Sequence, residues 1–252
     1  MSTPLSVQLY SLRDSLAQDF AGTLRRVAEI GFAGVETAGF PGTTPSAARA
    51  LCDELGLKIS SFHGPAPIGA TRQESLDLAA ALGVKRIVLP YLDPKLFATL
   101  DGVREVADLL NAAAAEAKAN GLHFAYHNHW FEFGLIDGKA AFDHLLPLLT
   151  TDVEFELDLY WIKVGGQDPT ALIARLGDRA PLLHVKDGPA NGYEAAMVAV
   201  GDGAIGYPDV IATHHAEWLV VELDRCDTDM FTAVARSYSF LTEKGVAHGR
   251  VK

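Results

Sequence analysis

The chain has 252 residues, 49% hydrophobic and 21% charged, which excludes a disordered or fibrous protein and is a normal length for one α/β barrel. Its 32 acidic against 21 basic side chains give a formal charge of −11, which argues against a nucleic-acid partner because phosphate-backbone affinity rests on clustered Lys and Arg. No stretch approaches the roughly 18 apolar residues of a membrane span, and "MSTPLSVQLYSLRD" has no basic region ahead of an apolar run. No membrane partner and a cytoplasmic location are therefore expected.

In chain order, short apolar or β-branched runs alternate with longer Ala- and Leu-rich segments, the pattern of repeated βα units around a parallel sheet. Strands are predicted at Leu5–Tyr10, Gly34–Thr37, Lys58–Phe62, Arg86–Pro90, His123–His127, Glu154–Asp158, Leu182–Val185 and Trp218–Leu223. Helices are predicted between them, in "FAGTLRRVAEI", "TPSAARALCDEL", "RQESLDLAAAL" and "DGVREVADLLNAAAAEAKAN", from apolar positions three and four apart. Thr44 followed by Pro45 marks a helix start, and Gly31, Gly56, Gly83 and Gly121 mark helix ends. The expectation is an α/β fold, a single (β/α)8 TIM barrel over residues 1–252. Cys52 and Cys226, far apart and without ligand spacing, read as ordinary buried thiols. "DGPANGYEAAMVAVGDGAIGYPD" exceeds the usual connection length and is expected to be a lid or binding loop, its "GDGAIG" part a hinge or a hydroxyl-binding turn.

In such a barrel the active site is built at the C-terminal strand ends, and polar residues gather there. Glu36 and His63 end strands two and three, and His127, Glu156 with Asp158, His184 with Lys186, and Glu222 with Asp224 follow on strands five to eight. Two-residue alternation puts each of those pairs on one face. His127, Asp158, His184 and Glu222 form a mixed N/O set for a divalent metal ion (Mn, Zn, Co, Fe or Mg), with His129 and Glu132 as alternatives to His127 on strand five. A metal-free buried ion cluster is the structural alternative, but burying such charges without a cation is costly. Lys186 and His63 are expected to act catalytically, protonating or orienting substrate oxygens, and Glu36, His129, Trp130 and Trp161 to bind substrate, the aromatic faces suiting an apolar ligand face. Barrel-rim packing, a loop-capping Glu36 and a partly buried His63 are the bland readings of the same residues. No GxGxxG after strand one, Walker motif or GxSxG is present, so a nucleotide cofactor and a serine nucleophile have no support.

The segments "VQLYSLRD", "YHNHWFEF", "FELDLYWIKVGGQDP", "LLHVKDG" and "VVELD", in this order over nearly the whole chain, resemble the sugar phosphate isomerase/epimerase family with its xylose-isomerase-like barrel. The resemblance implies metal ligands at Asp158, His184 and Glu222. It also shows a departure, since many relatives carry on strand five a glutamate that is both ligand and base, and this chain has His127 within "YHNH". The implied activity is metal-dependent isomerisation or epimerisation of a sugar, sugar acid or polyol ketone, with Glu222 as base and an ene-diolate intermediate. A dehydratase or keto-glycoside lyase on the same metal site is the alternative, and a non-catalytic sugar-binding module is a third. Endonuclease chemistry is disfavoured by the acidic charge. The partner expected is a small carbohydrate; no cluster of Arg marks a phosphate clamp, and nothing decides between a monomer and a homo-oligomer.

Overall fold

The computed structural model describes residues 2–212 and 214–250. Eight strands line the barrel: β1 (Thr3–Gln8), β2 (Gly34–Thr37), β3 (Lys58–His63), β4 (Arg86–Leu89), β5 (His123–His127), β6 (Val153–Asp158), β7 (Leu182–Val185) and β8 (Trp218–Val221). Each pairs in parallel with the next, and β8 pairs with β1, Leu219 opposite Leu5, so no edge is left open. This is the closed (β/α)8 barrel expected from the alternation.

The outer helices begin and end where the local chemistry directs. Thr44 accepts from the amide of Ala47 ahead of helix Pro45–Leu55, and Asp19 accepts from that of Gly22 ahead of helix Phe20–Ile30. Gly31, Gly56 and Gly83 stand as left-handed caps, whereas helix Leu100–Ala119 is capped by Asn120, with Gly121 one place beyond. Among the described residues no helix is long and apolar enough to cross a membrane.

Several local features differ from the sequence reading. β1 stops at Gln8 instead of Tyr10, because the Gln8 side chain accepts from the amide of Tyr10 at 3.0 Å and starts a 3-10 turn, Leu9–Leu12. β8 likewise stops at Val221, short of Leu223, whose amide bonds instead to Ser11 Oγ. After β5, Asp137 and Gly138 take positive φ and close an unanticipated hairpin of Leu135–Ile136 with Lys139–Ala140, the geometry for which Asp-Gly is suited. Cys52 is buried as expected, but Cys226 is only half-buried, with its sulfur 3.1 Å from Thr228 Oγ1.

The lower barrel is closed off. Val88, Ala125, Leu182 and Trp218 pack together inside it. Arg86, also at the strand starts, is 6% exposed and held by Glu154 and Glu217. Polar side chains fill the opposite end.

Candidate active site

Alternation along the strands delivers Gln8, Glu36, His63, His127, Glu156, Asp158, His184, Lys186 and Glu222 to one end of the barrel interior, where all but His63 are buried. Glu156 is the hub of the inner part. Its Oε2 lies 2.7 Å from His63 Nε2, 3.0 Å from His184 Nε2 and 3.1 Å from His127 Nδ1. Glu36 Oε2 takes hydrogen bonds from Gln8 Nε2 at 2.6 Å and pairs with His184 Nε2 at 2.8 Å, while Ser61 donates to its other oxygen. The outer part begins on the far nitrogens of the same rings: His184 Nδ1 is 2.8 Å from Glu222 Oε2, and His127 Nε2 is 3.7 Å from Asp158 Oδ2. Lys186 Nζ completes it, 2.7 Å from Glu222, 2.9 Å from Asp224 and 3.0 Å from Asp158.

Charge and burial set the protonation of these groups. Burial opposes the charge of His63, but Glu36 and Glu156 outweigh it and raise its pKa to about 10; Glu156, Glu222 and Glu36 hold His184 well above its usual value in the same way. His127 is pushed well below the usual imidazole range by burial and by the neighbouring His184, so its ring is neutral. Burial and Lys186 bring His129 down to about 3. Asp158 is raised to about 6 by burial despite Lys186, whereas Glu222 is held below the usual carboxylate range because Lys186 and His184 overcome its burial.

The donor set suits a divalent cation. One ligating atom from each of His127, Asp158, His184 and Glu222 lies within 4.8 Å of the others, and the same holds for His63, His127, Glu156 and His184. The two sets share His127 and His184 through opposite ring nitrogens. Glu156 Oε1 is buried without a hydrogen-bond partner, and Asp158 Oδ2, buried beside only the Lys186 ammonium at 3.0 Å and His127 Nε2 at 3.7 Å, has a coordination site that a cation on the outer set would fill. Were a cation held by the outer nitrogens, the inner nitrogens of both rings would face Glu156 and Glu36, carboxylates that would fix tautomer and ring orientation. Because His184 holds a proton and Asp158 titrates near 6, protons must leave before a cation binds. Mn²⁺ affinity, measured against a competing chelator, is accordingly expected to strengthen from about pH 6 to about pH 8 with proton release. A flat profile would remove His184 and Asp158 from the ligand set.

Above the cluster a cavity of about 490 Å³ opens to the mouth, lined in part by His63, His127, His129, Trp130, Trp161, Lys186 and Glu222. Asp158, His184 and Glu36 are fully buried and do not line it. Glu36, expected at the substrate, thus lies behind the imidazoles. His129 Nδ1 and Trp161 Nε1 are unpartnered polar atoms of lining residues. Glu132, the alternative strand-five ligand, sits in the turn Phe131–Phe133, where it accepts from Tyr126 Oη at 2.6 Å and from the His129 amide at 2.9 Å. Burial raises its pKa to about 8, and its two hydrogen bonds only partly offset this. It braces the His129 loop.

Glu156 and Asp224 are the site residues that the sequence reading left without a role. The signal for both was the two-residue spacing in "ELD", which puts Glu156 on the face of Asp158 and Asp224 on that of Glu222. The glycine-rich part of the long loop departs from the hydroxyl-binding expectation. The amides of Gly188, Gly201 and Ile205 in and around "GDGAIG" donate to the Asp187 carboxylate at 2.9, 2.9 and 3.1 Å, so they bind the chain itself and not a hydroxyl. A Cβ at Gly203 would stand 2.1 Å from Asp187 Oδ1, which is why glycine is needed there. The loop tip reaches the mouth, where Tyr193 stacks on Trp130 at 4.7 Å and 10°.

No curated protein sequence matches the chain. Among solved structures, a sugar phosphate isomerase/epimerase from Parabacteroides distasonis is 26% identical with a TM-score of 0.80, the match covering 96% of this chain and 94% of that one. L-ribulose 3-epimerase superposes with a TM-score of 0.67 at 15% identity over 96% and 94% of the two chains. A probable 3-DHS dehydratase from Bacillus anthracis does so with a TM-score of 0.71 at 14% identity over 95% and 99%. At those two identities the likeness is one of fold. The model of the xylose isomerase-like TIM barrel family matches residues 24–228, most of the barrel and its strand ends, and the chain belongs to that family.

Proposed function

We propose that the protein is a divalent-metal-dependent isomerase or epimerase of a sugar, sugar acid or polyol ketone, acting by proton abstraction beside a carbonyl. The observation that carries this is the convergence of His127, Asp158, His184 and Glu222 from four successive strands, His127 and Glu222 lining an aromatic-walled cavity with Asp158 and His184 buried behind them. A divalent cation held there would supply Lewis-acid polarisation of the substrate carbonyl.

The chain's own groups account for the proton steps. Glu222 lines the cavity and is held ionised by Lys186 and His184. Both contacts run through Oε2, leaving Oε1 to take the proton from the carbon next to the carbonyl, while the C–H electrons pass into the ene-diolate. The Lys186 ammonium lies against Glu222 with its charge intact and is placed to donate to a substrate oxygen. Neutral His129 and the Trp161 indole offer their unpartnered nitrogens to hydroxyl groups. His63, at the edge of the cavity, is anchored by Glu156 and presents a charged imidazole to the substrate from the β3 side.

One observation favours a second reading, the dehydratase or keto-glycoside lyase. The carboxylates that line the cavity, Glu222 and Asp224, both come from the end of β8, and the wall built by β5 offers His127 and His129 instead. A single basic wall suffices for abstraction followed by loss of a β-leaving group, whereas epimerisation needs a proton delivered to the other face. Incubation of the metal-loaded protein with candidate keto-sugars in deuterated water separates the readings. An isomerase or epimerase yields a product of unchanged formula carrying solvent deuterium, and a lyase releases water or an aglycone. No exchange and no product with any keto-sugar would leave the sugar-binding module in front.

A further inference from the structure

We infer that the cavity takes an uncharged sugar bearing an aromatic or other apolar substituent, and that it selects against sugar phosphates; this rests on the carbohydrate reading above. The charge at the site gives the first half of the argument. A phosphate ester brings nearly two negative charges and needs free cations or unspent backbone amides. The two cationic side chains on the wall whose charge is fixed are already matched: Lys186 Nζ lies within 3.1 Å of carboxylate oxygens of Asp158, Glu222 and Asp224, and Arg225 is paired with Glu194 at 3.3 Å. His63 is matched by Glu156 and Glu36. The glycine-rich amides after β7 are spent on Asp187, and the Trp161 amide at the helix start after β6 is spent on Asp158. A dianion entering this cavity would meet Glu222 and Asp224 with no unmatched cationic side chain, and a divalent cation on the outer set would already be matched by the carboxylates of Asp158 and Glu222.

The aromatic wall gives the second half. From the cluster outward the rings follow one another: His127 meets His129 at 5.1 Å between centroids, and His129 meets Tyr91 at 5.4 Å. Tyr91 is 52% exposed, and Trp130, which meets His129 at 6.0 Å, is held in place by the stacked Tyr193. A sugar whose end remote from its substituent, keto or hydroxyl, meets Glu222 and Lys186 spans the first of these steps. Whatever it carries at the far end then lies against Tyr91 and Trp130, where planar or apolar groups gain both burial and ring stacking.

Titration calorimetry of the metal-loaded protein tests this with methyl β-D-glucopyranoside, phenyl β-D-glucopyranoside and glucose 6-phosphate, and with the galactose counterparts. In at least one series the phenyl glycoside is expected to bind about tenfold more tightly than the methyl glycoside, the gain of one well-placed aromatic contact. The phosphate ester should bind no more tightly than the methyl glycoside of its series. The exposed Tyr91→Ala should shrink the phenyl preference while leaving methyl glycoside binding within about twofold, and Trp130→Ala should shrink it as well. Tighter binding of the phosphate, or equal binding of phenyl and methyl glycosides, overturns the inference. No heat with any of the compounds overturns it as well, and leaves the deuterium test of the reaction standing. Conversely, a phenyl preference in a protein that exchanges no deuterium upholds the pocket and sinks the isomerase reading.

Discussion

Glu222→Gln is expected to slow solvent-deuterium exchange into substrate by roughly 10²–10⁴-fold, the range supplied by a positioned general base. The amide keeps the shape and an oxygen ligand but has no affinity for a proton at neutral pH. It also loses the negative charge that Lys186 and His184 hold ionised in the native protein. Elemental analysis of the same preparation separates the two duties assigned to this residue. Metal retained at about one ion per chain with exchange lost makes Glu222 the base, and metal lost with exchange makes it primarily a ligand. Metal retained and exchange unchanged would transfer the base role to another residue. His127→Ala, measured alongside, should lose the cation; a full load there would move the strand-five ligand to His129 or Glu132.

The second large effect concerns Lys186. Its ammonium is fully buried and stands among the carboxylates of Asp158, Glu222 and Asp224, which are also its principal partners. Replacing it with methionine keeps the length of the side chain and strands those charges. Breaking a buried ion pair from one side costs about 3–5 kcal/mol, which for a chain of this size corresponds to a melting temperature lower by roughly 6–20 °C. Calorimetry of the chelator-treated Lys186→Met protein should show that drop. Added Mn²⁺ should recover much of it, because a divalent cation on Asp158 and Glu222 replaces the missing charge. An unchanged melting temperature without metal would mean that desolvation of the ammonium cancels the pairing.

Much of the fold was legible because the signals are local. Alternating apolar runs, the Thr44–Pro45 start and the glycine caps act within a few residues of where they are written. The inward faces of β5 to β8 were legible for the same reason, since alternation needs no tertiary information. Depth within the barrel was not. The register between β2 and β3 shifts between Val35 and Glu36, so that Glu36 pairs with Ser61 and reaches His184 and His63 instead of the cavity. No count along the chain reveals a shift of that kind. Glu156 likewise shares its face with Asp158, but only the stagger of neighbouring strands makes it the meeting point of three imidazoles. The role of "GDGAIG" depended on Asp187, a partner some fourteen residues earlier.

That arrangement divides labour along one short piece of backbone. His184 serves the cluster, Lys186 the cavity and Asp187 the root of the loop. The loop is thus clamped at both ends of its span while its middle reaches the cavity wall through Tyr193 on Trp130 and Glu194 on Arg225. Selectivity can therefore be rewritten between Pro189 and Ala196 by exchange of sequence or length, as a removable cassette, with the reacting groups left undisturbed beneath it.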